Sequence, residues 1–331
     1  MRARLLSMAV AGLVLSGCGL AAIAPRAQSP ETRLTAQTHR GIEQQVSKER
    51  LAAHLSVLTG KTPMPGGTLI PERGTVDGRA RTRQYLVSAL EQLGYTVERH
   101  AYRTNGENLF VRLMAPTPTN EYILLGAHLD SVRNAGANDN GTGTCAVLEA
   151  AALLKQLEGR KVNILFAWFD EEELGLIGSV AMAKDFKRQG MAITSAHTID
   201  MMGWDKDGDR AVEIERPDGG LWDYYRMVNE THGLNLPLTR TNSGSTDHVA
   251  FREAGFESVG LCEEWVGGDT TPHYHKRTDT YETIDFDYLA STTRLMVAAV
   301  GDLSRKVPAP APSRRLPHDM FPGRDRHFHQ H

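Results

Sequence analysis

The chain has 331 residues, which at roughly 150 residues per domain allows about two domains. Its 40% hydrophobic and 23% charged residues are ordinary for a soluble fold and exclude collagen-like, coiled-coil and wholly disordered chains. A formal net charge of −3 gives no reason to expect a nucleic-acid partner, and three cysteines are too few for a disulfide scaffold or a thiolate zinc ribbon.

At the start of the chain, Arg2 and Arg4 precede a short apolar run. That order is the order of an export signal, and the run is too short to span a bilayer as a helix. Leu15-Ser16-Gly17-Cys18 then resembles a bacterial lipobox, in which residues 1–17 are removed and Cys18 is lipidated as the mature N-terminus. Such a lipid anchor holds a protein at a membrane surface without a transmembrane helix. Ordinary secretory cleavage near Ala22-Ile23-Ala24 is the competing reading, and Pro25 directly after that site speaks against it.

Residues 18–46 read as a polar linker, 47–306 as a single α/β domain, and 307–331 as a flexible tail rich in Pro, Arg and His. Within the domain, helices are predicted at about 47–58 and 79–93, separated by a Gly- and Pro-rich loop at 60–75. In the second helix Tyr85, Leu86, Leu90 and Leu93 fall at helical spacing, and Gly94 is the stop. Apolar strands at 122–127, 163–169, 196–199 and 258–261 then alternate with helices at 143–157, 176–188, 221–231 and 286–305. Continuous apolar strands separated by helices predict an α/β architecture: a mostly parallel central sheet with helices on both faces. Ligands bind such sheets beyond the carboxyl ends of the strands. Cys145 and Cys262 are left either as one disulfide or as two buried thiols, and Trp204, Trp265, Tyr224 and Tyr225 read as core or rim packing.

Each predicted strand end or active-edge loop carries an acid or a histidine. The first strand runs into His128-Leu129-Asp130; positions two apart share one side of an extended chain, so Asp130 can receive the second N–H of the His128 ring. Taken alone the pair is a weak signal, and a surface histidine beside an acid is its more common explanation. Asp139 lies where the next helix opens, where Asp and Asn also serve as caps. The second strand ends in Asp170-Glu171-Glu172-Glu173. Acids at a helix start complement its dipole, but this many repel one another and suggest a cation. The third strand ends at Asp200, and His273 and His275 precede the last helix. With so few cysteines, a metal here must be held by histidines and carboxylates.

In order, AHLDS (127–131), NDNGTG (138–143), EELGLIGS (172–179), IDMMG (199–203) and HKRTDT (275–280) resemble the co-catalytic zinc aminopeptidase family; STDHVAF (245–251) is similar to that family's SDH-x-x-F segment. The resemblance implies a zinc-exopeptidase fold with two zinc ions per chain. His128 and Asp200 would hold one ion, Glu173 and His275 the other, with Asp139 bridging and Asp130 orienting the His128 ring. Gly175 in the family's Glu-Glu-x-Gly-Leu pattern selects Glu172 and Glu173 and leaves Glu171 as an extra acid. Asp279 selects His275 over His273. Glu172, without a metal, would be the general base. The implied activity is removal of N-terminal residues from peptides with a free N-terminus, by an exported, lipid-anchored enzyme of the bacterial cell envelope. A glutaminyl-peptide cyclase on the same fold and a non-catalytic binding lipoprotein are the competing readings.

Overall fold

The computed structural model describes residues 41–306 apart from 267; the expected signal peptide, Cys18, most of the linker and the 307–331 tail lie outside the described residues. The folded body begins earlier than the expected residue 47. A short turn at Glu43–Gln45 buries Ile42, Glu43 and Val46, because the apolar pair flanking the turn closes against the core. Helix α1 (Lys48–Leu58) starts at Ser47, whose hydroxyl accepts the Arg50 N–H, and it buries Leu51, Leu55 and Leu58 along one side. Helix α2 (Val76–Gln92) is capped by Thr75 in the same way and so begins three residues before its predicted start.

Eight strands form one sheet: β1 (Glu98–Arg103), β2 (Gly106–Leu113), β3 (Glu121–His128), β4 (Asn163–Phe169), β5 (Ala192–Asp200), β6 (Val212–Glu215), β7 (Leu238–Thr241) and β8 (Ser258–Cys262). Their order is β1-β2-β4-β3-β5-β8-β6-β7. The central four, β4-β3-β5-β8, are parallel. Antiparallel pairings lie outside them, at β1–β2, β2–β4 and β6–β8. The remaining helices are α3 (Gly143–Leu154), α4 (Ile177–Arg188), α5 (Leu221–Thr231), α6 (His248–Glu253) and α7 (Phe286–Ser304).

The two-residue period of the central strands divides the core. Ile164, Phe166 and Trp168 of β4 join Ile123, Leu125 and Ala127 of β3 in a core shared with α1, α2, α3, α5 and α7. Leu165, Ala167 and Phe169, with Leu124, face Met182, Ala183 and Phe186 of α4 and Phe251 of α6. The sheet is therefore covered on both faces. Cys145 and Cys262 are buried free thiols, which settles the disulfide question against a bond. Tyr224 and Tyr225 are core residues. No described helix is long and apolar enough to cross a membrane.

Candidate metal centre

Parallel strands bring their carboxyl ends to one edge. His128 ends β3 level with Phe169 of β4, and Gly126 pairs with Thr198, so His128 stands level with Asp200 at the end of β5. Both side chains are buried, with His128 Nε2 3.3 Å from Asp200 Oδ1. The wide turn Ala137–Thr142 crosses in front of them. Asn140 fastens that turn: its amide donates to Ile199 O at 2.7 Å and its Oδ1 accepts the Gly143 N–H at 2.9 Å. Asn140 thus does the capping at α3, and Asp139 is left free to face the strand ends. The Asp139–Asn140 peptide is cis.

Asp139 Oδ1 lies 3.3 Å from His128 Nε2, and its Oδ2 lies 3.2 Å from His275 Nε2. Glu173 Oε2 is 3.0 Å from the same His275 nitrogen. Two groups result, His128–Asp139–Asp200 and Asp139–Glu173–His275, whose ligand atoms lie within 4.8 Å of one another. Asp139 belongs to both. Glu172 belongs to neither; its Oε2 is 3.9 Å from His128 Nε2. His273 is turned elsewhere, bonding Thr278 Oγ1 at 3.0 Å and packing edge-on against Trp204. A third acidic trio, Asp205, Asp207 and Asp209, lies in an outlying turn whose carboxylates accept that turn's own N–H groups.

The charges are mutually strained. Burial and the neighbouring Asp139 push Glu173 up to about 7. Burial and the Asp247, Asp200 and Glu173 carboxylates raise Glu172 well above the ordinary carboxylate range, although His128 opposes the rise. Burial opposes charge on His128, yet Glu172 and Asp200 draw it well above the usual imidazole value. His275 rises to about 10 against the effect of burial, through Asp139 and Glu173. Asp139, between two imidazoles, is held below its ordinary value despite being buried. Carboxylates crowded this closely need a cation to stay ionised together. The imidazole nitrogens and carboxylate oxygens present are the donors zinc takes. The site therefore fits zinc, with Asp139 placed to be shared.

Of the residues that support the centre, Asp130 was legible beside His128 in the sequence, whereas the supporting roles of Asp279, Glu263 and Arg73 carried no local signal. Asp130 stands 3.4 Å from His128 Nδ1, but its carboxylate also accepts the Glu172 and Glu173 N–H groups at 3.1 and 3.2 Å. Asp279, used in the sequence only to set register, accepts the Asn138 and Asp139 N–H groups at 2.8 and 3.1 Å. Glu263 joins Asn138 Nδ2 to the Gly203 and Trp204 N–H groups. Buried Arg73 donates to the carbonyls of Leu129, Ala135 and Gly136 across the loop between His128 and Asp139, and to Leu58.

The chain is similar to known proteins along the segment that builds this centre. It is 33% identical over 198 residues to aminopeptidase YwaD of Bacillus subtilis, covering 57% of this chain and 43% of that protein. Among solved structures, a zinc aminopeptidase from Bacillus subtilis superposes with a TM-score of 0.57 at 29% identity, over 62% of this chain and 51% of the other. A Bacteroides thetaiotaomicron glutaminyl cyclase shares the fold, with a TM-score of 0.63 at 17% identity over 78% and 98% of the two chains. The chain spans 43% of YwaD and 56% of a leucine aminopeptidase 1, about half the length of the curated relatives it matches. The pattern of Peptidase family M28 runs through residues 108–300, from β2 into α7. With more than half of its length inside that pattern, the chain belongs to peptidase family M28.

Proposed function

We propose that the protein is a zinc-dependent aminopeptidase that removes N-terminal residues from peptides, held by lipid on Cys18 at the outer side of a bacterial membrane. The observation that carries this reading is Asp139, whose two oxygens face two separate imidazole–carboxylate groups. His128 and Asp200 would hold one zinc, Glu173 and His275 a second, and Asp139 both. Zinc supplies Lewis acidity there, polarising a carbonyl and making water more acidic.

The protein's own residues do the rest. Glu172, beside the ligands but outside both groups, takes a proton from the attacking water and returns one to the departing amine. Asp130 holds the His128 ring at Nδ1, through its carbonyl at 3.2 Å and its carboxylate at 3.4 Å, and its carboxylate accepts the backbone N–H groups of both glutamates.

A full donor set for two ions favours peptide hydrolysis over single-zinc cyclisation of N-terminal glutamine. The test is a panel of aminoacyl-nitroanilides with their N-acetylated counterparts and a glutaminyl peptide, with and without chelator. Cleavage of free-amine substrates only, lost on chelation and restored by zinc, is the expected result. Equal cleavage of blocked substrates, or cyclisation of the glutaminyl peptide, rejects the reading.

A further inference from the structure

Glu171, the acid that the motif register leaves over, is not a spectator. It is 2% exposed and adopts a left-handed backbone at φ 62°. Its carboxylate is gripped from two other elements. Arg79 Nη2 of α2 donates to Oε1 at 2.8 Å, Arg103 Nη2 of β1 lies 2.7 Å from the same oxygen, and the Tyr102 hydroxyl donates to Oε2 at 2.9 Å. Space for it is reserved by Gly106, where a Cβ would stand 2.7 Å from Glu171 Oε2.

The residue before it is fastened as firmly. Asp170 accepts from Arg83 Nη1 at 2.6 Å and lies 2.8 Å from Arg79 Nε, while its N–H donates to Asn108 Oδ1 at 2.8 Å. Gly178 at the start of α4 lets the chain pass against Asp170, where a Cβ would meet the Asp170 carbonyl at 2.1 Å. Residues 170 and 171 are thus pinned to α2 and β1, and residues 172 and 173 are pinned through their N–H groups to Asp130.

Neighbouring side chains on an extended strand point to opposite sides. β4 ends at Phe169, and Glu172 and Glu173 lie in the turn beyond it, released from that alternation, so both reach the metal centre. A left-handed backbone is unfavourable for a residue with a side chain and persists only where its surroundings over-determine it. Two guanidiniums and a hydroxyl on one buried carboxylate are such surroundings.

We propose that Glu171 is a positioning residue. Clamped by Arg79, Arg103 and Tyr102, it locks the turn that aims Glu172 and Glu173 into the metal centre. The proposal rests on the reading of that centre as a zinc aminopeptidase site. Glu171 touches neither metal nor substrate, so its effect must pass through its two neighbours. A purely stabilising ion-pair cluster would lower the melting temperature and leave kcat per folded molecule alone.

The experiment compares the full chain with Glu171→Ala, Glu171→Gln and Arg103→Ala, reading zinc affinity by chelator competition and kcat and KM at saturating zinc. In Glu171→Ala, kcat should fall about 10- to 100-fold with KM nearly constant, and the zinc held through Glu173 should weaken by a similar factor while the other is unchanged. Glu171→Gln, which still accepts from Tyr102, should recover part of both losses. Arg103 is half-exposed on β1, so Arg103→Ala removes one leg of the clamp from a folded protein and should show an intermediate loss. Wild-type kcat and zinc affinities in Glu171→Ala overturn the proposal, as does a loss confined to KM. If Glu171→Ala does not fold, unchanged kcat and zinc affinity in Arg103→Ala overturn it. An inactive wild type would reject the peptidase reading, while the zinc competition would still decide the clamp.

Discussion

Replacing Glu172 by Gln keeps the shape of the side chain and removes its ability to take a proton. Because its Oε2 stands 3.9 Å from His128 Nε2 and it joins neither ligand group, Glu172→Gln should keep wild-type zinc content by elemental analysis. Its kcat should drop about 10²- to 10⁴-fold. Full activity removes Glu172 from the mechanism. Asp139→Ala should behave differently, losing zinc from both positions as well as activity, because its two oxygens face His128 and His275 separately. Two tightly bound zincs in that variant refute the shared role. The residues that bear these predictions were readable in the sequence because each sits in a short string, Glu172 just past a strand end and Asp139 where the next helix opens. Apart from Asp130, their supports were not. Asp279 and Asn138 are 141 positions apart, Glu263 and Asn138 are 125, and nothing local to either string records the bond. Glu171 was visible, but its partners on α2 and β1 were not.

At the scale of elements, most of the long buried pieces were legible, whereas the eight-residue β2 and the short edge strands were not. β3 and β4 are nearly continuous apolar runs, and α5 was bounded in the sequence at the residues where it is found. β1 reads ERHAYR with every second residue only half-buried, and β6 and β7 have four residues each. Their pairing is decided by neighbours distant in sequence, so no local pattern announces them. The loop between β3 and α3 shows the same dependence. It is held by Arg73, which lies before α2, is fully buried and has its pKa lowered by that burial. Arg73→Met keeps the bulk and strips the donors from four carbonyls. A loss of about 3 kcal/mol in urea unfolding is expected. An unchanged midpoint would show that those carbonyls find other partners.

Across the whole molecule, His232 ties both ends of the described chain to its middle. At the end of α5, its Nε2 lies 3.0 Å from Asp302 of α7 and its Nδ1 3.2 Å from Glu43 in the opening turn. The hydrogen bond to Asp302 and the adjoining Glu43 carboxylate push it up to about 9, burial opposing. Since the folded value exceeds the unfolded value of about 6.5, this stabilisation is complete below that pH and is lost as pH rises through about 9. The melting temperature of the wild type should exceed that of His232→Gln by most near pH 6, with the gap closing by about pH 10. A gap independent of pH rejects the assignment.

Cys145 and Cys262 carry a consequence for how the protein reaches its working state. Both thiols are unbonded, and burial drives the pKa of each upward, so neither offers a thiolate to an oxidant. The described body therefore matures without a disulfide catalyst, and its melting temperature in dithiothreitol should equal that in air. On the export route proposed above, moving from a reducing to an oxidising compartment would leave these two thiols as they are.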